Sequence, residues 1–338
     1  MSAPHAEGWT RRAFLGGVAL AGTAGLLRLP STSVAAEPPP ETTTLRVVRS
    51  ASVCVAPEYV AETLLHGEGF AAVHYVKPAG TSTQALASGA ADLSTIFVGP
   101  LLLRVDAGDP VVLLAGGHVG CFELFGGERV RTVQDLRGKT VAVPGLESSH
   151  HLFLAGIAAY VGLDPHKDIV WVTHPPAEAM RLLAAGQIDA YAGFPPDPQA
   201  LRAQKVGRLI VSTAVDRPWS QYFSCMVAAN REFVRTHPVA TKRALRAFLR
   251  AADICSLEPD QTARFLVEKG YAQSYDYALQ TMQEIPYGKW HEYSPEDAVR
   301  FYALRLHEIG MIKSSPRKIL AQGTDWSFVN ELKKELKG

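Results

Sequence analysis

The chain has 338 residues, of which 47% are hydrophobic and 20% charged, with 34 Lys and Arg against 33 Asp and Glu for a formal net charge of +1. That length and apolar content allow a well-buried core and favour two domains over one. The balanced charge excludes the basic excess of a nucleic-acid binder.

Residues 1–36 read as an export leader. TRRAFLGG (10–17) sets Arg11 and Arg12 before the apolar GVALAGTAGLL, and SVAA (33–36) ends in small residues ahead of EPPPE. A charged start, a short apolar run and a small-residue cleavage site make a secretory signal, here of the twin-arginine type. The run is too short and glycine-rich to span a bilayer. Cleavage after Ala36 removes three arginines and one glutamate and takes the net charge from +1 to −1. No cysteine follows closely enough for a lipid anchor. The expected product is a soluble periplasmic protein with a tether over 37–44.

Strands and helices then alternate. LRVVRS (45–50) reads as a strand, Glu58 to His66 as a helix, AAVHYVK (71–77) as a strand, and Ser82 to Gly89 as a helix closed by glycine. LSTIFV and PVVLLAGG are strands, and KTVAVP (139–144) opens a second series. There a helix from about Ser148 to Val161 is followed by IVWVTH, a helix from Ala177 to Ala185, DAYAGF and GRLIVST. Strands separated by helices of this length predict parallel α/β units. From Asn230 the chain becomes helix after helix. Leu245, Phe248, Leu249 and Ala252 share one face, and Lys242, Arg243, Arg246 and Arg250 fall on a solvated one. Ser294 before Pro295 predicts an N-cap and Gly310 a helix stop.

One corner is written twice. ALASGAADLSTIFVGP from Ala85 and LLAAGQIDAYAGFPPD from Leu182 align at an offset of 97, with Leu86 on Leu183, Gly89 on Gly186, Asp92 on Asp189 and Phe97 on Phe194. Each copy is helix, glycine turn, aspartate, buried strand, then an aromatic and a proline. Helix–Gly–x–x–Asp–strand is also a common α/β join, but the constant offset favours two pseudo-symmetric lobes. Ligands in open α/β sheets bind outside the carboxyl ends of the strands, so two such edges would face one cleft.

Enzyme signatures are missing: GLESS lacks the second glycine of a nucleophile elbow, AGGHVG has the wrong spacing for a dinucleotide loop, and there is no H-E-x-x-H. Cys54, Cys121, Cys225 and Cys255 are widely spaced, with no C-x-x-C pair or Cys/His metal spacing discerned. One disulfide is conceivable in an oxidising compartment, with three full pairings open, and buried free thiols are the favoured reading. His118, His150, His151 and His174 could gather a metal, but the adjacent pair His150 and His151 point apart on a helix. Helix-start packing for His151 and solvent exposure for His150 are the simpler alternatives. The reading therefore predicts no metal, no cofactor and no catalytic residue.

The second series, TVAVPGLESSHHLFLAGIAAYVGLDPHKDIVWVTHPPAEAMRLLAAGQIDAYAGFPPDP, resembles the periplasmic solute-binding proteins of the sulfonate, nitrate and taurine ABC importers. The features are the KTVAVP strand, Ser148 and His151 at a helix start, a helix ending VGL, PPAEAM before GQIDAY, and Phe194 beside two prolines; KPAGTSTQALASGAADL matches in the first series. The resemblance covers about Leu45 to Thr213, and the helical C-terminal third matches only in general character. It implies a two-lobe type II periplasmic-binding-protein fold with a doubly wound sheet in each lobe and a helical C-terminal third. The first lobe would comprise residues 45–118 and 225–338, the second 119–224, with crossings near Gly117 to Gly127 and Thr213 to Phe223. The implied function is capture of a small organic or oxyanionic solute by hinge closure and delivery to a membrane permease, with only peripheral contact to the membrane complex. Helix N-termini offer N–H donors to such a ligand. Candidate ligand residues are Ser52, Ser82, Thr83, Gly120, Ser148, Ser149, His151, Phe194, Asp197 and Tyr222. Each Ser or Thr is alternatively an N-cap, Phe194 a core plug, and Trp219 and Tyr222 core aromatics; Arg49 and Arg104 are expected at the surface. Glu147 stands where sulfonate-type relatives tend to carry glycine. It would repel an oxyanion if it faced the site and complement the helix dipole if it faced solvent. The alternative is an enzyme of the same fold acting on a pyrimidine or other heterocycle, which the isolated cysteines and the export leader argue against.

Overall fold

A computed structural model describes residues 37–336; the expected export leader lies outside the described residues. From Pro39 onward they form one compact unit built on two five-stranded sheets. The first contains β1 (Thr44–Val48), β2 (Ala72–Val76), β3 (Leu93–Phe97), β4 (Val111–Val119) and β10 (Phe223–Asn230), in the order β2-β1-β3-β10-β4. The second contains β5 (Glu123–Gly126), β6 (Lys139–Val143), β7 (Ile169–Thr173), β8 (Ala190–Gly193) and β9 (Arg208–Ser212), in the order β7-β6-β8-β5-β9. Helices α1 (Ala56–Gly67), α2 (Ser82–Ala87) and α3 (Val98–Asp106) serve the first sheet. Helices α4 (Ser149–Tyr160), α5 (Pro176–Ala184) and α6 (Asp197–Gln204) serve the second. The remaining helices are α7 (Arg231–Thr236), α8 (Pro238–Leu257), α9 (Pro259–Glu268), α10 (Tyr275–Glu284), α11 (Pro295–Glu308), α12 (Pro316–Gly323) and α13 (Ser327–Glu335).

The sheets are mixed where the sequence predicted parallel units. β10 runs antiparallel to β3 and β4, and β5 antiparallel to β8 and β9. These are the two strands that enter after a crossing between sheets: β4 leads through 120–122 into β5, and β9 returns through 213–222 into β10. A chain arriving from the other sheet enters at the end facing it, which reverses the strand's direction. The crossings fall where expected. The two segments touch at Gly120, whose φ of 76° and 2.9 Å approach of an added Cβ to the Ala214 backbone leave room only for glycine.

The repeated corner has one construction in both sheets. The Asp92 amide donates to the Arg46 carbonyl at 2.8 Å while its carboxylate accepts from the Arg46 amide at 2.7 Å. The Asp189 amide donates to the Thr140 carbonyl at 2.8 Å and its carboxylate accepts from the Thr140 amide at 3.0 Å. Gly89 and Gly186 both sit in the left-handed region, at φ 72° and 66°. An aspartate clamped to the neighbouring strand (β1 or β6) sets where β3 or β8 begins, and so where Phe97 and Phe194 emerge at the other end. The 97-residue offset is therefore a structural pseudo-symmetry.

In the C-terminal third, Leu245, Phe248, Leu249 and Ala252 of α8 are buried as the pattern required. Arg246, assigned to the solvated face, instead lies largely buried with its guanidinium 2.7 Å from Glu68, because α8 packs along α1 and the arginine stem is covered there. Ser294 caps α11 by accepting from the Asp297 amide at 3.2 Å, and Gly310 follows that helix at φ 73°.

Asp92→Ala removes the acceptor of a part-buried backbone N–H and is expected to destabilise the protein by about 1–3 kcal/mol. Asp92→Asn keeps an acceptor and loses mainly a half-exposed ion pair with Arg46, so it should cost less than about 1 kcal/mol. Urea titrations of the two variants test this, and equal losses would show that the charge rather than the strand clamp matters.

Candidate functional site

The carboxyl ends of β3 and β8 meet at the seam between the sheets around a cavity of about 120 Å³. Phe97 and Phe194 line it from opposite sheets at equivalent positions of the repeat, and Phe122 of the first crossing lies between them, 4.8 and 5.6 Å from their ring centroids. Hydroxyls of Ser50, Ser52, Ser82, Thr95 and Ser149 and the thiols of Cys54, Cys121 and Cys225 supply its polar surface. No Asp, Glu, Lys, Arg or His lines it among the described residues.

Four of the ten sequence candidates line this cavity: Ser52, Ser82, Ser149 and Phe194. Ser52 bridges the sheets, its Oγ donating to the Pro195 carbonyl at 3.2 Å beside the Val53 amide, which donates to the same oxygen at 3.2 Å. The other six are occupied elsewhere. Thr83 is buried with its hydroxyl 3.1 Å from that of Thr81, the actual N-cap of α2. Ser148 caps α4 by accepting from the His151 amide at 3.3 Å. His151 accepts from the Glu147 amide at 3.0 Å and packs edge-on against Trp171. Asp197 accepts from the Tyr191 hydroxyl at 2.5 Å, and burial pushes its carboxyl up. Tyr222 stacks on Phe301 at 4.2 Å, and Trp219 is buried among Phe153, Tyr160 and Phe301, so both are core aromatics. Gly120 serves the crossing.

Glu147 is exposed, lies outside the cavity lining and has a φ of 63°, which explains why glycine suits that position. Arg49 lies over the Tyr271 ring and Arg104 pairs with Asp109, both away from the lining. His150, whose simpler expectation was solvent exposure, is buried with its ring 4.6 Å from Phe194, and burial lowers its pKa to about 4. His150 and His151 do point apart.

Sequence reasoning missed the cysteines. Cys54, His118, Cys121 and Cys225 are all buried, and their ligating atoms lie within 4.8 Å of one another. The expectation of isolated cysteines without metal spacing is corrected on this point: His118-x-x-Cys121 is one local pair, and the fold brings the two distant thiols to it. The histidine set, set aside from sequence, is not assembled among the described residues. All four cysteines are free. The Cys54 thiol is held well below the ordinary range by hydrogen bonding from the Cys121 and Cys225 thiols, whereas burial pushes Cys121 up. Burial opposes charge on His118, but the neighbouring Cys225 and Cys54 outweigh it and raise its pKa.

Beneath the cavity the fully buried Glu58 accepts hydrogen bonds from the Ser94 hydroxyl at 3.0 Å and the Thr95 amide, while its second oxygen has no partner. Burial pushes this carboxyl up to about 8, so it is held protonated at neutral pH.

The architecture defines a class: two α/β lobes joined by two crossings around a seam cavity, the type II periplasmic-binding-protein fold. The sequence model of the NMT1-like family matches residues 40–268, and the chain belongs to that family. The fold is similar to the periplasmic nitrate-binding protein NrtA of Synechocystis PCC 6803, with a TM-score of 0.74, 18% identity and coverage of 89% of this chain and 90% of that one. It is also similar to the alkanesulfonate-binding protein SsuA of Xanthomonas axonopodis pv. citri, solved with MOPS, with a TM-score of 0.69, 22% identity and coverage of 87% and 100%. A third similar structure is a ligand-binding component of an ABC-type import system from Staphylococcus aureus with zinc bound, with a TM-score of 0.69, 14% identity and coverage of 86% and 98%. Among curated proteins no match is found.

A carboxyl whose folded pKa lies above its unfolded value of 4.5 binds more protons in the native state, so stability falls as pH rises from about 4.5 to about 8. The loss is at most about 1.4 kcal/mol per pH unit. Glu58→Gln keeps an acceptor for Ser94 and Thr95 and should flatten that decline in thermal melts across the window. A wild-type slope retained in the variant would assign the pH dependence to other groups.

Proposed function

We propose that this protein is the solute-binding component of an ABC importer, exported by its twin-arginine leader, that captures one small solute in the seam cavity and presents the closed form to a permease. The observation carrying this reading is that equivalent positions of the two lobes, Phe97 and Phe194, converge on one cavity with Ser82 and Ser149 from the two helix starts. The nitrate- and sulfonate-binding functions in the names of two similar structures support it, and no described helix is long and apolar enough to cross a membrane. We assign residues 45–118 and 225–338 to the first lobe and 119–224 to the second.

The cavity chemistry narrows the solute. A lining of hydroxyls, thiols and aromatic rings with no formal charge suits a small neutral or weakly polar organic molecule better than a bare oxyanion, which would lack a countercharge. Closure is held partly by Arg202 of α6, which pairs with Glu123 of the second lobe and reaches Glu284 of α10 at 2.7 Å. A ligand touching both lobes adds to such contacts and favours the closed state.

A thermal-shift screen over nitrate, sulfonates, carboxylates, pyrimidines and aromatic acids should find one stabilising class; ligand at 100 times its Kd adds about 2.7 kcal/mol. Ser82→Ala with Ser149→Ala should weaken that ligand at least about tenfold without unfolding the apo protein, and no turnover should accompany binding. Unchanged affinity would move the site elsewhere, and consumption of the ligand would favour the enzyme reading. Arg202→Ala should weaken the same ligand by lowering the closed population, read by calorimetry; equal affinity would exclude a closure role for this contact.

A further inference from the structure

The cluster at the floor of the cavity has the composition, burial and unmet bonding of a metal site. We infer that Cys54, His118, Cys121 and Cys225 bind one thiophilic d10 cation, with Zn2+ the ion whose tetrahedral preference these four ligands match. Three thiolates and one imidazole are a recognised tetrahedral zinc set. Zn–S bonds of about 2.3 Å place sulfurs roughly 3.8 Å apart. The four ligand atoms here lie within 4.8 Å of one another, so a contraction of about 1 Å completes the site.

One observation points to a ligand beyond the clustering itself. Neither ring nitrogen of His118 has a hydrogen-bond partner although the residue is only 1% exposed. A buried imidazole left so carries a desolvation penalty that coordination relieves at one nitrogen. Ser52 Oγ lies 2.9 Å from Cys54 Sγ and Ser224 Oγ 3.8 Å from Cys121 Sγ, each hydroxyl giving its own proton to a backbone carbonyl and so accepting from the thiol. Cys54, Cys121 and Cys225 also line the seam cavity, which gives an ion a route in. The ligands come from the turn after β1, the end of β4, the first crossing and strand β10, so one ion would tie the first crossing to the first lobe.

This inference goes beyond the solute-binding reading, and each can fail alone. The full chain, reduced and stripped with chelator, is titrated with Co2+. One equivalent should produce thiolate-to-cobalt charge transfer in the near ultraviolet and the intense visible bands of a tetrahedral ion, both erased by one equivalent of Zn2+. Cys121→Ser and His118→Gln should each weaken Zn2+ at least a hundredfold, while Cys255→Ser, a buried cysteine outside the cluster, should leave it unchanged. If the ligand variants fail to fold, the wild-type titration and a Zn2+-dependent rise in its melting midpoint still decide. A weak octahedral cobalt spectrum, a disulfide within the cluster of the protein as purified, or equal loss in Cys255→Ser would overturn the site. Solute binding measured on the stripped protein reports on the cavity reading separately.

Discussion

The constraint on which everything else rests is that the chain crosses between the sheets twice and must re-enter each one beside its central strand. β5 lies between β8 and β9, and β10 between β3 and β4. The crossings therefore leave each sheet next to the carboxyl ends of β3 and β8, where Phe97 and Phe194 emerge. The first connection could have lain at the rim of the seam; instead its Cys121 and Phe122 line the cavity. Phe122 belongs to the first crossing and Cys225 to the strand that follows the second, and both line the cavity. One packing decision thus places residues of the first crossing in the cavity lining.

Such a floor demands close backbone approach. Gly120 meets Ala214, an added Cβ on Gly117 would lie 3.1 Å from the Cys225 carbonyl, and Cys121 takes a φ of 117°, unusual for a side-chain-bearing residue. The Ser224 hydroxyl closes this region by donating to the Gly120 carbonyl. Aromatic packing then seals the seam: Phe122 stacks on Phe153 at 4.6 Å, and Phe97 meets Tyr302 edge-on at 5.6 Å. The result is one apolar cluster that runs through both lobes, with a smaller separate cluster on the outer side of the second.

What the sequence made legible was whatever the chain encodes over a few residues. The Gly-x-x-Asp corner, the caps at Ser148 and Ser294 and the strand ends are short-range signals that could be read in chain order, whereas the two crossing regions followed only from the family resemblance. Phe97 was within reach too, since the repeat that singled out Phe194 points to it directly. Cavity lining was harder to read, because Ser148 and Ser149 differ by one position and only helix geometry decides which faces inward. Ser148 spends its oxygen on the cap, leaving Ser149 to face the cavity. Tyr222 and Asp197 sit near the right strands, but their side chains turn into Phe301 and Tyr191.

The cysteines mark where local reading ends. Cys54 and Cys225 are 171 positions apart in the 338-residue chain, and what joins them is β10 inserting beside β3. No spacing rule carries that information; a pseudo-symmetric strand order does. The same insertion concentrates buried polar groups under the cavity, and burial governs their protonation. Glu58, for one, is held neutral there. The proposed ion would sit at the thiols of this floor, beside a buried imidazole that has no hydrogen-bond partner. A positively charged ion at that point would balance the thiolates in a medium too dry to do so by hydration.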